Sequence, residues 1–455
     1  MNLLWRRITY LSFFAIFFIV SIGLLLYLQG YRYNYNKQRL ERVGAIMADS
    51  LPKDARVKIN NVYQTANTTS TIQPLTPESY QVEIELPRHQ LWKKTLNVKP
   101  SEVTFTGQVR LWPNTQTGEL IVDSQAKNIQ ISPNRENIIY ELSGGLKTGL
   151  WLLNLNIGQP SLLSRPATST ITDLEWSPTS RHFLVAQIIN NKKTWHVYNL
   201  ADGTWLEVQI PDDIKPVLVH WGESDNEIFI STGAELYRQS LRNNKPELVW
   251  AERLKDWRWH DSLIFGLTYN NNKGVSVKIL NLSNNKNVAL ENSPTFSDAV
   301  RFFEKSDDWL PLYDYDRHNL YLLHSPLTID QPIRRLPEVT SVDWSSDYNQ
   351  LLLGNNFEIW SYDIQEDRLN LVQRLSSTLS SPLYYAKEPY IIYAQGKDVY
   401  ALELDNRPEQ QRWLLSRHTD DVEALYLDPT GRNLTIKTKQ GLWRMTLAPV
   451  KKFFE

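Results

Sequence analysis

Cysteine is absent from all 455 residues. That removes disulfides, thiolate metal ligands and cysteine nucleophiles together, and leaves zinc only histidine and carboxylate ligands. An excess of charge of one sign is absent too: 49 basic residues face 50 acidic ones, for a net charge of −1. Such a balance supplies no chain-wide field to attract nucleic acid, which is not expected as a partner. The motifs G-x-S-x-G and H-E-x-x-H and the phosphate-cradling glycine loop do not occur, and the eight histidines stand singly. The chain therefore reads as a non-enzyme, with no catalytic residue, no metal site and no cofactor. With only 3 Met and 18 Gly against 16 Trp, 22 Tyr and 14 Phe, composition favours strands and turns over helical bundles, and an all-β fold is expected.

Only one long apolar run is present. Residues 8–28, ITYLSFFAIFFIVSIGLLLYL, carry no charge and are flanked by Arg6 and Arg7 on one side and Arg32 on the other. As a helix the run spans roughly 32 Å, enough for a hydrocarbon core of about 30 Å. Trp5, Tyr10, Tyr27 and Tyr31 stand near its ends, where amphipathic rings favour the headgroups. A cleaved signal peptide competes with this reading, but the run is longer than a usual signal core and no small-x-small cleavage site follows Leu28. Residues 1–7 are then a stub, 8–28 a transmembrane helix and 29–42 a juxtamembrane linker. Basic residues on both flanks leave orientation to length: a short stub stays inside, and the long remainder is translocated.

Between residues 43 and 113 the chain turns to short alternating segments. In Tyr80-Gln81-Val82-Glu83-Ile84-Glu85-Leu86 the apolar side chains fall on one face and the polar ones on the other, the pattern of a half-buried strand. Strands are also expected at 57–59, 92–98 and 103–111. Pro52, Asn60-Asn61, Pro77, Pro87 and Pro100 supply the turns. The succession Ser50-Leu51-Pro52, Ala55-Arg56-Val57-Lys58-Ile59-Asn60-Asn61, Thr76-Pro77-Glu78-Ser79-Tyr80-Gln81-Val82-Glu83-Ile84 and Trp92-Lys93-Lys94-Thr95-Leu96-Asn97-Val98 resembles a PEGA domain. That resemblance implies an envelope protein and an accessory or attachment role for this small β-domain.

After a linker at 114–125, residues 126–448 repeat. Asp173-Leu174-Glu175-Trp176-Ser177-Pro178 precedes Phe183-Leu184-Val185-Ala186 and then Trp195-His196-Val197-Tyr198, while Val342-Asp343-Trp344-Ser345 precedes Leu351-Leu352-Leu353 and then Ile359-Trp360-Ser361-Tyr362. Weaker copies centre on residues 131, 221, 259, 309, 385 and 427. A spacing of roughly forty residues without helical periodicity is that of a four-stranded propeller blade. The anchors give a β-propeller of eight blades, with seven as the alternative because the copies at 259 and 309 are poor, and a tail at 449–455. The pattern resembles TolB-like and tryptophan-aspartate-like propellers, which implies a protein- or ligand-binding disc.

Trp at 151, 176, 195, 221, 344, 360 and 443 falls on repeated strand positions and is expected to pack between blades. Trp257, Arg258, Trp259 and His260 lie in the least regular unit, where two large rings could face a groove and stack on sugars or cations; they are the candidate ligand-binding residues. Asp314, Asp316 and Asn319 suggest an oxygen-ligand loop for calcium, but no distal Glu follows and a turn is the better reading. Asp202-Gly203-Thr204-Trp205 reads as a hairpin turn. The expected whole is a cell-envelope protein held by one helix, its bulk extracytoplasmic, with a propeller serving as a scaffold for a protein partner or envelope component. Glycan or cell-wall binding, or action on a glycan, through the propeller channel is the alternative.

Overall fold

A computed structural model of the chain describes residues 3–34, 37–123, 125–143, 147–164, 170–189, 191–260, 263–270, 274–282, 286–289, 294–303, 309–324, 333–345, 347, 349–385, 388–405 and 407–448. The tail 449–455 and the first two residues of the stub lie outside them. Two compact units emerge, one comprising Met1–Gln116 with Leu402–Leu415, the other Thr117–Ala401 with Ser416–Glu455.

The first unit begins with Leu3–Leu28, the single α-helix among the described residues. Its stretch Arg7–Leu28 is long and apolar enough to cross a membrane, and none of it is buried. The hydroxyls of Thr9 and Ser12 donate to the carbonyls of Trp5 and Thr9, at 2.7 and 3.0 Å. These two hydroxyls are thus satisfied within the helix itself. Directly afterwards, Tyr31–Asn34 and Arg39–Arg42 pair antiparallel, so the expected linker contains a hairpin.

Two small sheets follow. In one, Gly44–Leu51 lies between Ser70–Leu75, antiparallel to it, and Val103–Arg110, parallel to it. The other runs Val62–Tyr63, Arg56–Ile59, Ser79–Glu85, Trp92–Asn97, all antiparallel. Tyr80, Val82 and Ile84 are buried, as alternation predicts. Glu83 is buried as well, and is held by Lys93 at 3.0 Å.

Eight four-stranded antiparallel sheets succeed one another, numbered here in chain order, and all belong to the second unit except residues 402–415 of the seventh. Sheets 1 to 7 occupy 126–164, 170–207, 218–250, 254–289, 300–336, 341–374 and 379–417; sheet 8 combines three strands at 422–446 with Glu119–Val122. Glu119–Val122 pairs with Gly441–Thr446, so the strand preceding sheet 1 completes the last sheet. Apolar clusters join successive sheets. Ile139 and Leu150 pack with Trp176 and Phe183 between sheets 1 and 2, Trp195 with Trp221 between 2 and 3, and Tyr313 and Leu320 with Trp344 between 5 and 6. Between sheets 8 and 1, Leu442 and Val122 pack with Ile138 and Tyr140. Contacts between the first strands of sheets 6, 7 and 8 complete the circuit. The sheets form a closed ring, which is a β-propeller.

The repeated residues have repeated work. Trp176 Nε1 donates to the Gln130 carbonyl of the preceding sheet at 3.1 Å, and Trp221 Nε1 to the Glu175 carbonyl at 3.2 Å. Ser132, Ser177 and Ser345 end a first strand, and each accepts the backbone N–H five residues on through its Oγ. At Trp176-Ser177 the signature is therefore an inter-sheet bond followed by a closed turn. Sheet 5 departs from the expected anchor: its first strand ends at Phe302, and Trp309 opens its second strand, because Phe302-Phe303 stands where Trp-Ser stands elsewhere. Trp176→Phe should keep most of the packing yet leave the Gln130 carbonyl without its donor. A loss of about 1 kcal/mol is expected, read as a lower thermal midpoint; an unchanged midpoint would show that bond to be idle.

Candidate functional site

Propeller ligands meet either the axial opening or the rims, and the first strands define the axis, since those of successive sheets touch one another. Here the axis is polar and self-paired. Arg135, in the first hairpin turn of sheet 1, places Nη2 2.6 Å from Asp343 Oδ1 on the first strand of sheet 6. Sheets 1 and 6 are not neighbours, so this ion pair crosses the middle of the ring. Asp343 is 6 % exposed, and its other oxygen accepts the N–H of Tyr384 in sheet 7 at 2.7 Å. Burial pushes its carboxyl up, and Arg135 and the Tyr384 N–H only partly offset that. Burial also raises the Tyr384 hydroxyl to about 12.

Arg135 holds a left-handed backbone, φ 56°, three residues after Ser132; Gly431 holds φ 70° three residues after Asp428 in sheet 8. Glycine takes that conformation freely, whereas a residue with a Cβ pays on the order of 1 kcal/mol. The arginine is thus kept at a turn position that favours glycine, from which its side chain reaches across the ring.

A second polar chain links sheets 2 to 5. His220 Nδ1 lies 2.8 Å from Glu175 Oε2, and its Nε2 lies 3.7 Å from Asp256 Oδ1. Asp256 Oδ2 in turn accepts the Phe302 N–H at 3.3 Å. At the adjoining turns Asp225 accepts the N–H of Thr179 at 3.4 Å and its hydroxyl, and lies 3.1 Å from His182 Nδ1. Burial pushes the Asp225 carboxyl up, but the bonds from Thr179, His182 and Ser177 outweigh it and hold it below its ordinary value. Among the described residues no group of three or more His, Asp or Glu side chains is placed to hold a metal ion.

The sequence-predicted binding residues all lie on one strand, Leu254–His260. Trp257 is 1 % exposed, in a core with Phe229, Leu236, Trp250, Leu254 and Ile264. Trp259 packs against the same core half-buried, and His260 is buried. Trp257 therefore offers no open face for stacking and serves to join sheets 3 and 4. Arg258 is half-buried on the opposite side, donating to Asp256 Oδ1 at 3.3 Å and to the Trp257 carbonyl at 2.8 Å. Asp314 is fully buried at the end of the strand Trp309–Asp314, just before a turn, accepting from Ser297 and Arg317, and Asp202 caps a hairpin through Thr204. Sequence reasoning missed the axial pairs. Only Asp343, Glu175 and His220 lay within the repeat motifs, and nothing local marks Arg135 as a counterpart of Asp343.

No family model matches the chain, and no curated protein matches it. Solved structures similar to it include the C-terminal WD40 domain of Sif2, at 11 % identity over 74 % of this chain and 99 % of that one, TM-score 0.49. The Dos1 propeller is 10 % identical over 73 % and 95 %, TM-score 0.47. An oligogalacturonate lyase in complex with manganese is 10 % identical over 71 % and 98 %, TM-score 0.42.

Proposed function

We propose that this protein is a single-pass, membrane-anchored scaffold whose propeller binds a protein partner or envelope component and performs no chemistry. The observation that carries the reading is the axial one. The middle of the ring is tied by Arg135 and Asp343, and Asp256 accepts from a neighbouring strand, so these axial polar groups serve the ring. The rims, built from hairpin turns on a rigid frame, are what remains for recognition. Burial of Trp257 weighs against the glycan-stacking alternative. In this reading the eight sheets are eight blades, the helix is a retained anchor, its amino terminus is cytoplasmic, and the small β-domain is a PEGA-like spacer. The unburied apolar helix and the alternating strands at 79–85 and 92–97 support those assignments.

Fractionation tests it. The intact chain should sediment with membranes after an alkaline wash, and externally added protease should reach the region after residue 43 in cells with a permeabilised outer layer. A chain that is soluble, or that begins after Leu28 when its amino terminus is sequenced, would replace the anchor with a cleaved signal.

A further inference from the structure

The hairpin that follows the helix has two unlike faces. Paired residues across antiparallel strands project to the same side, and the register sets Tyr31 opposite Arg42, Arg32 opposite Glu41, Tyr33 opposite Leu40 and Asn34 opposite Arg39. One face therefore carries Arg32, Asn34, Arg39 and Glu41, and it is internally satisfied: Asn34 Nδ2 donates to Glu41 Oε2 at 2.9 Å, and Arg39 pairs with the other oxygen of that carboxylate. The other face carries Tyr31, Tyr33, Leu40 and Arg42. Tyr33 and Leu40 are 48 % and 54 % exposed, and the Arg42 guanidinium lies 5.1 Å from the centre of the Tyr31 ring.

Position fixes what such a face meets. Only Gln29 and Gly30 separate the helix from the hairpin. Arg32 Nη1 donates to the Tyr27 carbonyl at 2.9 Å while its guanidinium sits 3.6 Å over the Tyr27 ring, so a cation caps the helix where its dipole is negative. Lys37 Nζ donates to the Pro77 carbonyl at 2.8 Å, holding the hairpin to the small domain. Between residues 29 and 43 four cations, Arg32, Lys37, Arg39 and Arg42, stand against the single carboxylate of Glu41. Tyrosine and arginine together favour the headgroup layer, where rings lie between apolar and wet regions and cations meet phosphate.

We propose that the hairpin is an interfacial paddle: its Tyr31, Tyr33, Leu40 and Arg42 face seats on acidic phospholipid headgroups and fixes the small domain close to the bilayer. The proposal rests on the membrane-anchor reading and adds a lipid preference to it.

Because the chain has no cysteine, Leu40→Cys gives a single labelling site on this face, and Gln38→Cys gives a control at the hairpin's turn. Full-length protein labelled with an environment-sensitive fluorophore would be reconstituted into phosphatidylcholine vesicles, with or without about a third of phosphatidylglycerol, and quenched by headgroup nitroxides. Quenching at position 40 should be much stronger in the acidic vesicles. The seated fraction relative to the unseated should fall by roughly fivefold in an Arg42→Gln background, and the acidic preference should vanish in about 1 M salt. Equal quenching at position 40 in both vesicles, or quenching at 38 matching that at 40, would overturn the paddle while leaving the anchor intact. Failure to float with either vesicle would overturn the anchor and the paddle with it.

Discussion

Replacing Trp257 by alanine should cost about 3–5 kcal/mol, the range for removing a fully buried indole from a core that cannot collapse, and should lower the thermal midpoint of the detergent-solubilised chain by several degrees. The site is unforgiving because its neighbours are already close. Gly266 stands directly across the strand pair from Trp257, and a Cβ there would come within 2.8 Å of both Leu254 and the Trp250 ring. Sheets 3 and 4 thus meet through tryptophans and a missing side chain, and Gly266→Ala should destabilise by the opposite route of overpacking. His220, whose ring meets Trp257 edge-on at 4.8 Å, would lose its support as well. Arg258→Ala, which removes a half-buried cation 3.3 Å from the buried Asp256, should cost less than the tryptophan, about 1–3 kcal/mol. A Trp257→Ala protein that melts like the parent would show that the ring is not packed as described, and would reopen its candidacy as a ligand platform.

The second large effect concerns Lys94, which is fully buried in the first unit. Its ammonium lies 2.8 Å from Glu403 Oε2 and 2.8 Å from Asp405 Oδ2. Trp92 Nε1 donates to the other Glu403 oxygen at 3.2 Å, and Arg407 ties Asp405 to the carbonyls of Phe105 and Thr106 at 2.8 Å each. Removing one partner of a buried pair strands the other, so Lys94→Ala should cost about 3–5 kcal/mol. Lys94→Met combined with Glu403→Gln and Asp405→Asn should recover most of that, because no buried charge is then left unpaired. A triple variant no more stable than the single one would contradict this account. Acid should act on the same network. Burial pushes the Asp405 carboxyl up, yet the bonds from Arg407 and Lys94 overcome it and hold the group far below its ordinary value. A carboxyl with a depressed folded value contributes its stability above the unfolded value, about 3.9, and loses it as pH falls from there toward the folded value. The first unit should therefore weaken progressively below about pH 4.

Legibility in the sequence followed locality. The helix, the strands at 79–85 and 92–97 and the strongest repeats were readable because their signals lie within a few residues: an uncharged run, a period of two, a Trp-Ser turn. Lys94 was not readable as buried. It shares a strand face with Trp92 and Leu96, where alternation calls for an apolar residue, and its carboxylates lie some three hundred positions away. Arg135 and Asp343 are separated by 208 positions, and only ring closure brings them together. The hairpin at 31–42 reads as linker because its strands, YRYN and RLER, alternate aromatic with charge rather than apolar with polar. Gly44–Leu51 is buried on both sides at its start and alternates after Ile46, but the buried positions there are the small Ala48 and the polar Ser50, so no apolar period shows. Trp257 drew attention as irregular though it is core, and Trp259 though it packs half-buried against that core, because the bulge between Leu254 and Asp256 shifts the register on which regularity is judged.

The architecture and the scaffold reading both depend on eight sheets closing around an axis that the chain itself fills. Electron cryomicroscopy of the full-length chain in nanodiscs addresses this directly, through end-on projections of the large unit. A closed disc with eight spokes and density bridging its centre is the predicted result; an open arc, a different number of spokes, or an empty central channel would contradict it.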